Sequence, residues 1–89
     1  MKPEHYLNHS TFGLLYSLCW IKGDQALYTT LYAQRLFFIV THQADGLSFE
    51  STSRQQAKII VENRMRDLKR LMKTAEYSQL QQVFQQTFQ

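Results

Sequence analysis

Two hydrophobic rhythms divide the chain. Up to about residue 52, apolar residues fall in short runs separated by glycines and polar clusters; beyond it they recur every three or four positions. The first rhythm, rich in aromatic and β-branched residues, predicts short strands. "FGLLYSLCWI" (12–21) is one. "KGDQ" (22–25) is a turn, with Gly23 free to take positive φ. "ALYTTLYAQRLFFIVT" (26–41) continues extended, "HQADG" (42–46) turns again, and "LSFE" (47–50) closes a small sheet to which "EHYL" (4–7) adds an edge. The second rhythm predicts helices. Ser53, with Gln56 three residues on, fits a capping box. Ala57, Ile60, Val61, Met65, Leu68, Leu71 and Met72 then form one stripe, for a helix from about 54 to 73, roughly 30 Å long. Thr74 can cap a second helix over 75–88, whose stripe is Tyr77, Leu80, Phe84 and Phe88 with Val83 at its edge. So short a joint makes the helices an antiparallel pair. The expected fold is α+β: a small bent antiparallel β-sheet over 1–52, followed by two C-terminal antiparallel helices over 53–89.

Within this pattern "TLYAQRLFFIVT" (30–41) stands out, because its apolar residues occupy both parities. A strand with one buried face uses only one. A two-residue hairpin turn at Ala33-Gln34 would favour Gly or Asn, and neither is present. Residues 28 to 40 are therefore read as extended through a bend. Leu31, Ala33, Arg35, Phe37 and Ile39 form one row; Tyr28, Thr30, Tyr32, Gln34, Leu36 and Phe38 form the other. Two helices cover only part of one face. The even row is accordingly expected to be exposed in part as a docking surface, with Tyr32, Leu36 and Phe38 as anchors and Gln34 and Arg35 as polar rim. Burying such an anchor contributes about 1.5–3 kcal/mol, so a few can dominate an interface. The competing reading is a sheet buried on both sides.

The chain has 89 residues, 44% hydrophobic and 19% charged, which suits one globular unit with a modest core. No apolar run approaches the roughly 18 residues of a membrane span, and residues 1–5 lack the apolar stretch of a secretory signal. Cys19 is the single cysteine, which excludes an internal disulfide and suits a reducing cytoplasm. Charge is unevenly spread. Residues 54–73 carry seven basic groups against Glu62 and Asp67 and so are +5; with the whole chain at +3, the remainder is −2.

Little in the sequence suggests chemistry. His5, His9 and His42 show no metal-ligand spacing, and there is no glycine-rich phosphate loop or nucleophile elbow. Cys19, in a strand beside Trp20, reads as a small buried apolar group. Carboxylates are scattered singly. No enzyme, cofactor or metal is expected. On the first predicted helix, Lys58, Arg66, Lys69, Arg70 and Lys73 span about 120° opposite the apolar stripe. That face is open to three readings: a solvated surface, a dock for an acidic protein, or a nucleic-acid contact, the last lacking any base-reading set. Arg64 lies inside the stripe, where its stem can be covered while its head reaches the sheet. Ile59 lies off it.

"YLNHSTFGLLY" (6–16), "TLYAQRLFFIVT" (30–41), "TSRQQAKIIVENRMRDLKR" (52–70) and "EYSQLQQVFQQTF" (76–88) together resemble the PipX family of cyanobacterial PII-interacting proteins. The resemblance implies a Tudor/KOW-like β domain with two C-terminal helices, acting as a non-enzymatic cytoplasmic adaptor that is a monomer when free. It implies two rival partners. The dimeric transcription factor NtcA would be bound and coactivated when loaded with 2-oxoglutarate; the PII trimer would sequester the adaptor when 2-oxoglutarate is low and ADP favours it. The helices would face outward, toward components such as PlmA or RNA polymerase. The family's contact region maps onto Glu4, Tyr6, Tyr32, Gln34, Arg35, Leu36 and Phe38. The family's "KGDQ" turn is more acidic; here Lys22 and Gly23 leave Asp24 for any acidic contact. Two alternatives stand beside it: a small barrel binding nucleic acid through the basic helix 54–73, and a structural subunit of a larger complex.

Overall fold

A computed structural model describes residues 6–30 and 36–88. Five strands, β1 (Tyr6–His9), β2 (Gly13–Lys22), β3 (Gln25–Thr30), β4 (Phe37–Gln43) and β5 (Gly46–Thr52), pair antiparallel in chain order. Two helices follow, α1 (Arg54–Arg70) and α2 (Thr74–Phe88). The sheet is curled into a half-barrel. Rings on the outermost strands meet across the curl: His9 of β1 lies 5.0 Å from Phe49 of β5, edge to face.

Tight turns of the expected kind join the strands. Lys22 pairs with Gln25 across a two-residue turn in which Gly23 has φ 42°. The β1–β2 turn uses a side chain: Nδ1 of His9 accepts the backbone N–H groups of Thr11 (3.0 Å) and Phe12 (3.2 Å). An imidazole nitrogen accepting twice carries no proton, so the ring proton sits on Nε2. Gly13, at φ 76°, then enters β2 in the left-handed conformation that closes a three-residue hairpin loop.

Residues 26–41 do not run on as one extended segment. The chain reverses, so that Tyr28 lies opposite Phe38 and Thr29 opposite Phe37. The Thr30 N–H and the Thr29 hydroxyl both donate to the Leu36 carbonyl, at 3.2 and 2.8 Å. Since even residues pair with even and odd with odd, the two rows survive the reversal, and each gains a second strand. One row faces the helices: Leu27 and Phe37 join Leu18, Cys19, Ala57, Val61, Leu68, Leu80 and Phe88 in a core between sheet and helix pair. The other faces into the curl, where Leu15, Ala26, Tyr28, Phe38 and Val40 form a second core rimmed by Leu7, Trp20 and Phe49. The sheet covers its second apolar face with itself.

A bulge in β2 makes both cores possible. Ser17 pairs with Tyr28 and Cys19 with Leu27, leaving Leu18 as the extra residue. Leu18 and Cys19 thus both reach the helix-side core, although neighbours on a regular strand point apart. A second register shift lies between Trp20 and Lys22. Such bulges bend and twist a strand, as a curled sheet requires.

The helices follow the predicted stripe with one correction. Ser53 caps α1, its hydroxyl accepting the Gln56 N–H at 3.0 Å. Ala57, Val61 and Leu68 are buried and Ile60 and Met65 half-buried, but α1 ends at Arg70, leaving Leu71 and Met72 exposed in the joint rather than on the stripe. The ending is a Schellman motif: the Lys73 N–H bonds to the Leu68 carbonyl (2.9 Å) and the Met72 N–H to that of Lys69 (3.0 Å). Met72 occupies the left-handed position, φ 60°, where glycine is usual. Periodicity cannot see this stop because no glycine marks it. Replacing the 83% exposed Met72 by glycine relieves a steric cost of roughly 1–2 kcal/mol with no packing to lose, against some gain in unfolded-state entropy. Met72→Gly is therefore expected to stabilise the protein by roughly 0.5–1 kcal/mol in urea unfolding. Thr74 is itself the first residue of α2, the Lys73 carbonyl taking the first bond from the Tyr77 N–H at 2.9 Å. Phe88 at the far end of α2 stacks on Phe37 of β4 at 5.4 Å and lies under the Arg54 guanidinium, also at 5.4 Å.

Candidate protein-docking surface

The second core is not sealed at the end of the sheet where β1 turns into β2 and β4 begins. There a pocket of about 310 Å³ opens among His9, Phe12, Leu36, Phe38 and Phe49. The hydrogen-bonded turn described above sets two of its walls, because it brings the ring of Phe12 to 5.0 Å from that of His9. Phe38 forms the floor. Its ring stacks on His9 at 5.9 Å and meets Phe12 at 5.2 Å. Phe12 is 44% and Leu36 45% exposed at the mouth, whereas Phe38 is 4% exposed. The two hydrogen bonds to the Leu36 carbonyl fix the backbone beneath its exposed side chain, so little ordering entropy remains to be lost when a partner covers it.

The candidate residues divide accordingly. Leu36 is exposed, as expected of an anchor. Phe38 is not: the expectation of an open ring is overturned by the curl of the sheet, which buries it along with Tyr28 and Thr30 of the same row. Tyr6 is 53% exposed and packs on Tyr16 at 5.8 Å. It belongs to the cross-strand row Tyr6, Tyr16, Thr29, Phe37, on the helix-facing side of the sheet, opposite to Phe38. Leu36 and Phe38 are thus brought into one pocket and Tyr6 is not. Glu4, Tyr32, Gln34 and Arg35 lie outside the described residues. His9, Phe12 and Phe49 are pocket residues that the sequence pattern does not single out. Only the spacing of a histidine ahead of "TFG", able to accept turn N–H groups as an Asx side chain does, hints at the first two.

Among the described residues no group of three or more His, Cys, Asp or Glu is placed to hold a metal ion, and no helix is long and apolar enough to cross a membrane. Cys19 is buried, and burial pushes its thiol up to about 12, the nearby Arg64 charge opposing this only in part. On α1, Arg70 pairs with Asp67 at 3.2 Å and Arg66 donates to Asn63; both contacts are exposed and contribute little. Lys58 lies 5.9 Å over the Phe84 ring, and Ile59 is exposed, as its place off the stripe implies.

Compared with known protein families, residues 3–88 match the family described as PipX, PII-interacting protein X. The chain belongs to the PipX family. No curated protein matches it. A family match over nearly the whole chain takes in sheet and helices together, and membership brings a PII-interacting adaptor role and PII as a partner. PipX proteins are PII-interacting regulatory proteins and not a known enzyme family.

Proposed function

We propose that this PipX-family chain is a cytoplasmic adaptor that exchanges between two proteins over one surface at the open end of its half-barrel. One partner is the PII trimer. The other is NtcA in its 2-oxoglutarate-bound form, which the adaptor coactivates. The observation that carries the reading is the exposed Leu36, on a backbone held by two hydrogen bonds, at the mouth of an aromatic pocket. Leu36 at the pocket mouth and, from the family's contact region, Tyr6 on the helix-facing side of β1 together with Glu4, Tyr32, Gln34 and Arg35 make the contacts; Phe38 acts from beneath by holding the pocket floor. The helices remain available to further components such as PlmA or RNA polymerase.

Coactivation of this kind requires no chemistry. A protein that prefers the effector-bound state of NtcA raises NtcA's affinity for 2-oxoglutarate, and by linkage 2-oxoglutarate tightens the complex by the same factor. PII lowers coactivation by removing free adaptor through mass action. Calorimetry against NtcA with and without 2-oxoglutarate tests the linkage; equal affinities refute it. Leu36→Ala should weaken binding to both partners about tenfold, the effect of losing one central apolar anchor, while leaving the urea midpoint nearly unchanged. A variant that loses only one partner would show that the surfaces are separate.

A further inference from the structure

A second groove, of about 330 Å³, runs between β2 and the helix pair and shares no lining residue with the pocket at Leu36 and Phe38. Its charged residues are Arg64 of α1 and Glu76 of α2. Arg64 is half-buried, set into the helix stripe that packs on the sheet. Among the described residues its guanidinium has no hydrogen bond or ion pair; Glu76 lines the same groove without reaching it. A half-buried guanidinium offers five donors in a planar fork, and none of them is taken up within the described part of the protein. The wall beside it is supplied by α2. Gln79, Gln82 and Gln86, spaced three and four residues apart, present amide groups along one helix face, and none of these amides is bonded within the described part of the protein. Leu68 and Leu80, both buried, give the floor an apolar surface.

The chemistry matched by this set is a carboxylate. It takes the Arg64 fork in two parallel hydrogen bonds and glutamine N–H groups at its remaining lone pairs. The apolar floor suits a short hydrocarbon body. Glu76 opposes a second negative charge nearby. We propose that the groove between β2 and the helix pair binds a small monocarboxylate, its carboxylate seated on the Arg64 guanidinium and the glutamine amides of α2. The site lies where an occupant bridges α1, α2 and the sheet.

Sodium butyrate is the probe, followed by the side-chain N–H resonances of Arg64, Gln79, Gln82 and Gln86. Butyrate should shift these signals saturably, with butyramide and sodium chloride as controls that do not. Arg64→Gln should weaken the affinity about tenfold or more, as expected for one charge-assisted hydrogen-bond pair. Glu76→Gln should strengthen it severalfold. Equal shifts from butyramide or chloride, the same affinity in Arg64→Gln, or no saturable shift at tens of millimolar butyrate would each overturn the assignment. Should Arg64→Gln fail to fold, Gln82→Leu keeps the guanidinium and is expected to weaken binding severalfold; an unchanged affinity there refutes it equally.

Discussion

Phe38→Ala is expected to destabilise the protein by about 3–5 kcal/mol, the cost of emptying a buried phenylalanine site. The ring is 4% exposed, stacks on His9, touches Phe12, and belongs to the core formed with Leu15, Ala26, Tyr28 and Val40. A small domain has roughly 5–15 kcal/mol in total, so the variant loses a large share of its stability. Its binding to any partner should fall as well, but through loss of the folded population. The urea midpoint separates the cases. Phe38→Ala lowers it steeply, whereas Leu36→Ala, two positions away on an exposed side chain, leaves it almost where it was. A Phe38→Ala protein that is as stable as the parent yet fails to bind would show the ring to be a surface anchor after all.

That contrast marks how far the sequence can be read. Parity sorts the described residues of the 28–40 stretch correctly into two rows, because the pairing of β3 with β4 sets even positions opposite even and odd opposite odd; residues 31–35 lie outside the described residues. The same argument places the even row in water, since it allows only the helices as cover. A sheet that curls on itself supplies cover that no count of elements reveals, and the bulge at Leu18 that helps it curl has no glycine to announce it. The absence of Gly or Asn argues against a turn in this stretch, but that rule governs two-residue loops and does not bind longer ones. Helix content is more legible. The stripe through Leu68 and the second stripe from Tyr77 to Phe88 follow from 3.6-residue periodicity, and the Ser53 cap from its residue type; the joint escapes, where Met72 stands in for a glycine and Thr74 is already the first residue of α2 rather than its cap. Of the docking surface, Leu36 is legible as an apolar residue in a place helices do not cover. The pocket beside it is not, because His9 and Phe12 meet through a turn held by the histidine ring, and Phe49 of β5 reaches them only through the curl.

The largest chemical effect expected is at Cys19. Its thiol is buried against Leu27, Ala57 and their neighbours, and burial raises its pKa from 9.0 to about 12. A rise of that size cuts the native thiolate about a thousandfold at pH 8, and the thiolate is the species that reacts. Labelling by a disulfide reagent at pH 8 should therefore proceed through opening of the fold, at a rate that rises with urea, and be immediate in the unfolded chain. The raised pKa also fixes a pH dependence of stability. Below pH 9 folded and unfolded chains both hold the proton, and the thiol contributes no slope. As the pH rises past 9 the unfolded chain releases it while the folded chain keeps it, so stability falls by about 1.4 kcal/mol for each further step of one in pH until the folded thiol titrates near 12. Cys19→Ala removes this component. The difference between parent and variant should be flat below pH 9 and narrow steadily above it, a comparison in which tyrosine and lysine titrations common to both chains cancel. A native thiol that labels at about pH 8 as fast as the unfolded one, or a difference that stays constant from about pH 7 to 11, would mean that the joint between β2 and the helix pair admits water to Cys19.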